Sequence, residues 1–255
     1  MKAAPFEYRR PASLGEALEL LAQHGDECKP LAGGQSLIPL LAMRLARPAV
    51  LADLQGIPEL RRRESIRIGA MVTNAELEEA DPDTVPPLVA AALPHIGHYQ
   101  IRSRGTVGGN LAHADPAGEW PALAVALDAV IVTRSLSRGT KEIAAADFFL
   151  APLTSALEPD DLLIELRVPA WAFEAKWAFA EIARRPGDFA IAGTAAVQPP
   201  VGRLRVVVFA VGPSPQLVDP ESPTFEVTGD VHASTAYRRE AGKRLIERAL
   251  AEIAS

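Results

Sequence analysis

Ile101-Arg102-Ser103-Arg104-Gly105-Thr106-Val107-Gly108-Gly109-Asn110-Leu111 is the stretch on which the reading of this chain turns. It sets a hydroxyl, two glycines and a carboxamide in succession within a loop-rich region, residues 95–119. Glycine has no Cβ to block positive φ, so successive backbone N–H groups can converge. Such a concavity suits an anion. Leu31-Ala32-Gly33-Gly34-Gln35-Ser36 has the same character, a strand feeding two glycines and then a helix start, where N–H groups again point outward. Either loop alone reads as readily as a tight turn. Two together match a dinucleotide diphosphate, whose charge is spread over two phosphates. The rival signatures are absent. There is no Gly-x-x-x-x-Gly-Lys-Ser/Thr and no Gly-x-Gly-x-x-Gly after a strand.

Composition narrows the partners. The chain has 255 residues, 48% of them hydrophobic, with 26 basic against 32 acidic side chains. That is enough apolar matter for one large domain or two unequal ones. A net charge of -6 argues against nucleic acid as partner but leaves room for an anion held by backbone dipoles. One cysteine, Cys28, can make neither an internal disulfide nor an iron–sulfur cluster. It reads as a small buried residue. No apolar stretch is long enough to span a bilayer, and the N-terminus lacks a signal core, so a cytoplasmic setting is expected.

Around the loops the pattern alternates strand and helix. Residues 1–12 read as extended. Ser13 with Glu16 reads as a capping box before a helix ending near Gly25. Strands are expected at 29–32 and 49–53 around a helix at 37–45, a βαβαβ-like unit. A second unit follows, with a strand at 65–68, a helix capped by Thr73 or Asn74, a helix at 86–93, an apolar helix at 120–127 and strands at 129–133 and 162–168. After Pro169 come strands at 177–183, 194–197 and 204–211, then an irregular Pro-rich tract and an amphipathic helix at 235–253 with Leu245, Ile246, Ala249 and Leu250 on one side.

Gly33-Gly34-Gln35-Ser36 with Ile38-Pro39, the run from Ile101 to Leu111, and Ala114-Asp115-Pro116 together resemble the FAD-binding medium subunit of molybdenum hydroxylases, the family of carbon monoxide dehydrogenase and the xanthine dehydrogenases. Asp147-Phe148-Phe149, Asp161-Leu162-Leu163, residues 184–190 and residues 230–239 extend the likeness over most of the chain. The resemblance implies an α+β fold: a PCMH-type FAD-binding domain over residues 1–170, with subdomains at about 1–55 and 56–170, then a small, shortened α+β C-terminal domain over 171–255. It implies FAD held by Lys29, Leu31, Ala32, Gly33, Gly34, Gln35, Ser36 and Leu37 from one side. From the other side come Thr106, Gly108, Gly109, Asn110 and Asp115, with Glu119 on the ribose or ribityl hydroxyls and Ile96, Ile101 and Leu163 as further contacts. No residue is assigned a catalytic or metal-binding role.

Departures from the family sharpen these expectations. Members of the wider fold with covalent flavin carry histidine after the two glycines; Gln35 stands there, so the flavin is expected to be non-covalent. Ala180 stands where xanthine dehydrogenase-like members have a lysine. Among the remaining polar residues, His95, His98 and His113 read as loop histidines, Asp115 as a turn cap or cofactor contact, and Tyr99 as packed or near the flavin ring. Arg61-Arg62-Arg63 reads as a solvated run, and Arg184-Arg185 as an exposed hairpin or a partner contact. The resulting expectation is an electron-transfer subunit. It would take electrons from an iron–sulfur subunit, beside a molybdopterin-containing large subunit, in a dimer of heterotrimers. A self-contained FAD-dependent oxidoreductase and an FAD-binding scaffold without turnover are the alternatives.

Overall fold

The computed structural model describes residues 2–255. Its first unit is a three-stranded parallel sheet, with Val50–Asp53 between Glu7–Arg9 and Cys28–Leu31. All four residues of the central strand are buried, as a parallel strand covered on both faces requires. The helix Leu14–His24 connects the outer strands and lays Ala17, Leu18 and Leu21 against Cys28, Val50 and Ala52. Ser13 caps it by accepting from the Glu16 N–H, and Gly25 at φ 49° ends it. The expected capping box is half made, because the Glu16 carboxylate accepts from Ala12 N (2.9 Å) instead of reaching Ser13. The helix after the first glycine loop is shorter than its pattern suggested, Leu37–Ala42.

The second unit is a five-stranded antiparallel sheet in the order Arg63–Glu64, Arg67–Gly69, Leu162–Arg167, Val130–Ser135, Gly139–Ala144. Where one strand was expected at 65–68, Ser65 and Ile66 form the turn of a small hairpin. Thr73 caps the next helix with a complete capping box to Glu76. The region read as loop contains two short helices, Tyr99–Arg102 and Val107–His113. The second glycine loop is therefore the first turn of a helix. Glycine disfavours a helix interior by about 1 kcal/mol against alanine, which hid this from pattern reading. Gly108 is there because any Cβ would lie 2.5 Å from the Ala70 Cβ. Every residue of the helix Glu119–Ala126 is buried, as a helix that is apolar all round after its first residue must be.

A third layer completes the chain. Lys176–Ala183, Ala190–Gln198, Arg205–Phe209 and Gln216–Val218 form an antiparallel sheet in sequence order. Its residues alternate between two cores, following the two-residue repeat of a strand. Ala195, Val197, Val207 and Phe209 join the core around Trp120 and Leu123. Ala196, Val206 and Val208 pack instead with Ala241, Leu245, Ile246 and Ala249 of the helix Thr235–Ala254. The sheet thus fastens the C-terminal helix to the rest of the protein.

Gly193 lies opposite Phe209 on the neighbouring strand. A Cβ there would stand 2.1 Å from the Phe209 ring, which stacks on Phe179 at 6.0 Å. Overpacking a core costs about 1–3 kcal/mol. Gly193→Ala is therefore expected to lower unfolding free energy by roughly that amount in a denaturant titration. An unchanged midpoint would contradict this packing.

Candidate functional site

The first two units enclose a cavity of about 540 Å³, within the range of small-molecule and cofactor sites. One wall follows the edge strand Cys28–Leu31 and continues through Ala32–Leu37 to Leu40 and Ala46. The opposite wall comes from Thr106, Gly108–Asn110 and His113, the hairpin Phe149–Ala151/Thr154–Ser155, and the segment from Leu157 to Leu163.

The two glycine loops meet at one end of this cavity. A Cβ on Gly33 would lie 2.1 Å from the Arg104 carbonyl oxygen, and one on Gly109 would lie 2.9 Å from Thr106 Oγ1 and 3.4 Å from the Ala32 Cβ. Only glycines allow this approach. The loops nevertheless differ in what they offer. Among the described residues, the N–H groups of Gly33, Gly34, Gln35 and Ser36 find no protein acceptor. Gly34 has a left-handed φ of 76°, and the Ser36 hydroxyl caps nothing. In the second loop the donors are already used. Gly108 N–H donates to Ala70 O, Asn110 N–H to Thr106 O, and Gly109 N–H to Thr106 Oγ1 at 3.1 Å. The expectation that both loops present backbone donors holds for the first loop only. The second is a thin wall against which an anion held by the first can lie.

Twelve of the expected contacts line the cavity: Lys29, Ala32, Gly33, Gly34, Gln35, Ser36, Leu37, Thr106, Gly108, Gly109, Asn110 and Leu163. The structure places five others away from its lining. Leu31 packs beside Gly34 and Ile38. Ile96 is in the core, and Ile101 covers Gly97. Asp115 accepts from Ala117 N–H at 2.9 Å, the turn cap it resembled. Glu119 is buried at the start of its helix. Tyr99 is exposed and donates to Glu79 at 3.2 Å. Arg61 pairs with Glu76 at 3.4 Å and Arg62 and Arg63 are exposed, as a solvated run should be. No metal-binding cluster is found among the described residues.

Sequence reading missed the far wall of the cavity. Leu153, Thr154 and Ser155 reach it through a hairpin whose register no local pattern announces. The only local signal is conformational: Leu153 at φ 56° donates its N–H to the carbonyl of Ala114, itself at φ 51°. Cys28, buried as expected, lies along the near wall.

Two buried carboxyls, Glu119 and Glu181, feel each other's charge. Burial pushes Glu119 up to about 8, and the charges of Glu181 and Asp115 push the same way. Burial also pushes Glu181 up to about 7. Its Oε1 lies 3.1 Å from His95 Nδ1, and its Oε2 has no partner. Burial lowers His95, so the imidazole leans toward its neutral form.

A family model described as the FAD binding domain in molybdopterin dehydrogenase matches residues 4–171. The chain belongs to this family. Its cofactor is therefore FAD, and the protein is the flavoprotein subunit of an oxidoreductase complex. The chain is similar to subunits of several such enzymes. It is 40% identical to the caffeine dehydrogenase subunit beta of Pseudomonas sp. strain CBB1, covering 84% of this chain and 76% of that one. It is 36% identical to the nicotine 6-hydroxylase medium subunit of Paenarthrobacter nicotinovorans, covering 99% and 98%. That alignment runs over 282 positions against the 255 residues of this chain, so the relative carries inserted residues. Among solved structures, carbon monoxide dehydrogenase from Hydrogenophaga pseudoflava superposes with a TM-score of 0.91 at 33% identity over 99% of this chain and 98% of that one. Quinoline 2-oxidoreductase from Pseudomonas putida 86 does so at 0.88, with 32% identity over 100% and 99%.

Two outcomes follow from this geometry. Gly33→Ala drives a methyl into the Arg104 carbonyl and parts the loops, so FAD affinity should fall at least about tenfold, roughly 1.4 kcal/mol, by quenching of flavin fluorescence. Unchanged affinity would dissociate the loop contact from binding. The carboxyl pair sets a pH dependence. A carboxyl raised in the folded state holds its proton longer there than in the unfolded chain. Its contribution to stability is full below about 4.5 and lost as pH rises through about 8. Stability should decline over that window and decline less in Glu119→Gln. An identical slope in the variant would contradict the burial of a charge-prone Glu119.

Proposed function

We propose that this chain binds FAD non-covalently in the 540 Å³ cavity and serves as the electron-transfer subunit of a molybdenum hydroxylase. The observation that carries the reading is the set of unpaired N–H groups from Gly33 to Ser36 facing the glycine wall of Gly108 and Gly109 at one end of the cavity. Converging N–H groups hold a diphosphate without a cationic side chain, and Lys29 on the same wall adds positive charge. The Ser36 hydroxyl and Asn110 carboxamide supply further polar contacts, and Leu37 and Leu163 apolar ones. Bound FAD supplies the redox chemistry, accepting electrons and passing them on, while the chain binds and orients it. Gln35 offers no side chain for a covalent flavin link.

The same reading divides the chain at about residue 170, with FAD held by residues 1–170 in two subdomains, about 1–55 and 56–170, and a small domain at 171–255. The proposed partners are an iron–sulfur subunit and a molybdopterin-containing large subunit, in a dimer of heterotrimers in the cytoplasm. Support comes from the single cysteine, which leaves clusters to another chain, and from the subunit and medium-chain names of the relatives. No helix among the described residues is long and apolar enough to cross a membrane.

The test is spectroscopic. The purified complex should show a flavin absorption band whose chromophore is released by acid precipitation and recovered in the supernatant as FAD. Reduction by the substrate of the partner subunit should bleach it. A colourless complex, or flavin that stays with the precipitated protein, would refute the corresponding half of the proposal.

A further inference from the structure

The hairpin on the far wall of the cavity, Phe149–Ala151 with Thr154–Ser155, turns through Pro152 and Leu153. Leu153 has φ 56°. A turn residue in this left-handed region is ordinarily Gly or Asn, because a Cβ there crowds the following carbonyl oxygen. Leucine has neither glycine's freedom nor asparagine's local hydrogen bonding. Its side chain is 57% exposed and belongs to none of the three apolar cores. A bulky apolar side chain on a strained backbone, more than half in water, does nothing for the stability of the chain alone. Strain of this kind gathers at ligand clamps.

The tip is firmly tied. Leu153 N–H donates to Ala114 O at 3.0 Å, and Ala114 is the left-handed cap of the helix Val107–His113. The Thr154 hydroxyl donates to Pro152 O at 3.2 Å across the turn. At the root, Phe148 and Phe149 are in the core, and Ala156 N–H donates to Phe148 O at 2.8 Å. The hairpin is thus fixed to the C-terminal end of the same helix whose first turn forms the glycine wall. A helix rises about 1.5 Å per residue, so Ala114 stands roughly 8 Å along the axis from Gly109. That is about the span of a ribose beyond the diphosphate.

We infer that Leu153 closes over the adenine ring of FAD and is a binding residue for that cofactor. The inference rests on the function proposed above. Leu153 lines the cavity together with Leu157 and Leu163, an apolar surface for one face of a flat ring. Charge chooses between the two rings of FAD. Asp26 and Glu158 line the same cavity and pair with no basic side chain among the described residues. Asp26 precedes the strand Cys28–Leu31, at the end of the near wall remote from Gly33. The isoalloxazine presents carbonyl oxygens and gains electrons on reduction, which neighbouring carboxylates oppose. Adenine is neutral and offers an exocyclic amine, a donor that carboxylates accept.

The test uses the full chain with and without FAD. Leu153→Asn suits the left-handed backbone and removes the apolar cover; Leu153→Gly removes the cover by a second route. Both should raise the dissociation constant for FAD about fivefold to tenfold, as lost burial of an aliphatic side chain implies, by quenching of flavin fluorescence. ADP, which carries the adenine and the diphosphate alone, should lose the same factor as a competitor. Apo Leu153→Asn should melt at or above the parent's temperature, because the strain is relieved. Parent-like FAD binding by both variants overturns the inference. Weaker FAD with unchanged ADP competition overturns it by placing Leu153 on the flavin half. So does a parent that binds FAD without competition from ADP. Melting of apo Leu153→Asn well below the parent would make the leucine a structural prop. Parent-like affinities with impaired assembly of the complex would assign it to a partner chain. Either result overturns the inference alone, whereas a parent that binds no FAD overturns the proposed function with it.

Discussion

The close approach of Gly33 to the Arg104 carbonyl is the constraint on which the rest depends. It joins the parallel unit to the antiparallel one at a point where the first unit can carry no side chain, because a Cβ on Gly33 would meet the Arg104 backbone. The cavity exists because the two units touch there and diverge beyond it. A parallel edge strand supplies one wall, and a helix capped by Thr106 supplies the other. The glycines thus serve contact between the units first. Only the first loop also has free donors, and that asymmetry gives the site a direction: an anion is grasped from the Gly33–Ser36 side and backed by the Gly108–Gly109 side.

Burial and charge divide the molecule in a related way. The third sheet seals the far side of the central helix Glu119–Ala126, and it places Glu181 in the neighbourhood of Glu119 and against His95. Two carboxyls in so dry a setting cannot both be charged at low cost. The protonation of this pair links the central helix to the C-terminal sheet. Elsewhere, Ile38, Met43 and Leu45 are exposed.

Much of this was legible in the residues. Thr73 and Ser13 announced their helices by side-chain chemistry that works locally, and the β-branched run at Arg205–Phe209 announced a buried strand. The glycine pairs announced loops suited to an anion, but not that the two loops touch each other. What they could not reveal was which loop keeps its N–H groups free, because that depends on Ala70 and Thr106 as acceptors. The helical turn at Val107–His113 was masked for the same reason: its glycines answer to Ala70 and Ala32, distant in sequence, and not to helix propensity. The hairpin at Leu153–Ser155 was unreadable because its place is set by a hydrogen bond to Ala114 and by long-range packing.

The most direct test of the asymmetric site is residue-resolved amide exchange on the isotopically labelled chain, with and without FAD. The account predicts that the amides of Gly33, Gly34, Gln35 and Ser36 exchange rapidly in the apo protein and are strongly protected by FAD. Those of Gly108, Gly109 and Asn110 should be protected already and change little. Protection appearing at Gly108–Asn110 while Gly33–Ser36 remain fast would contradict it.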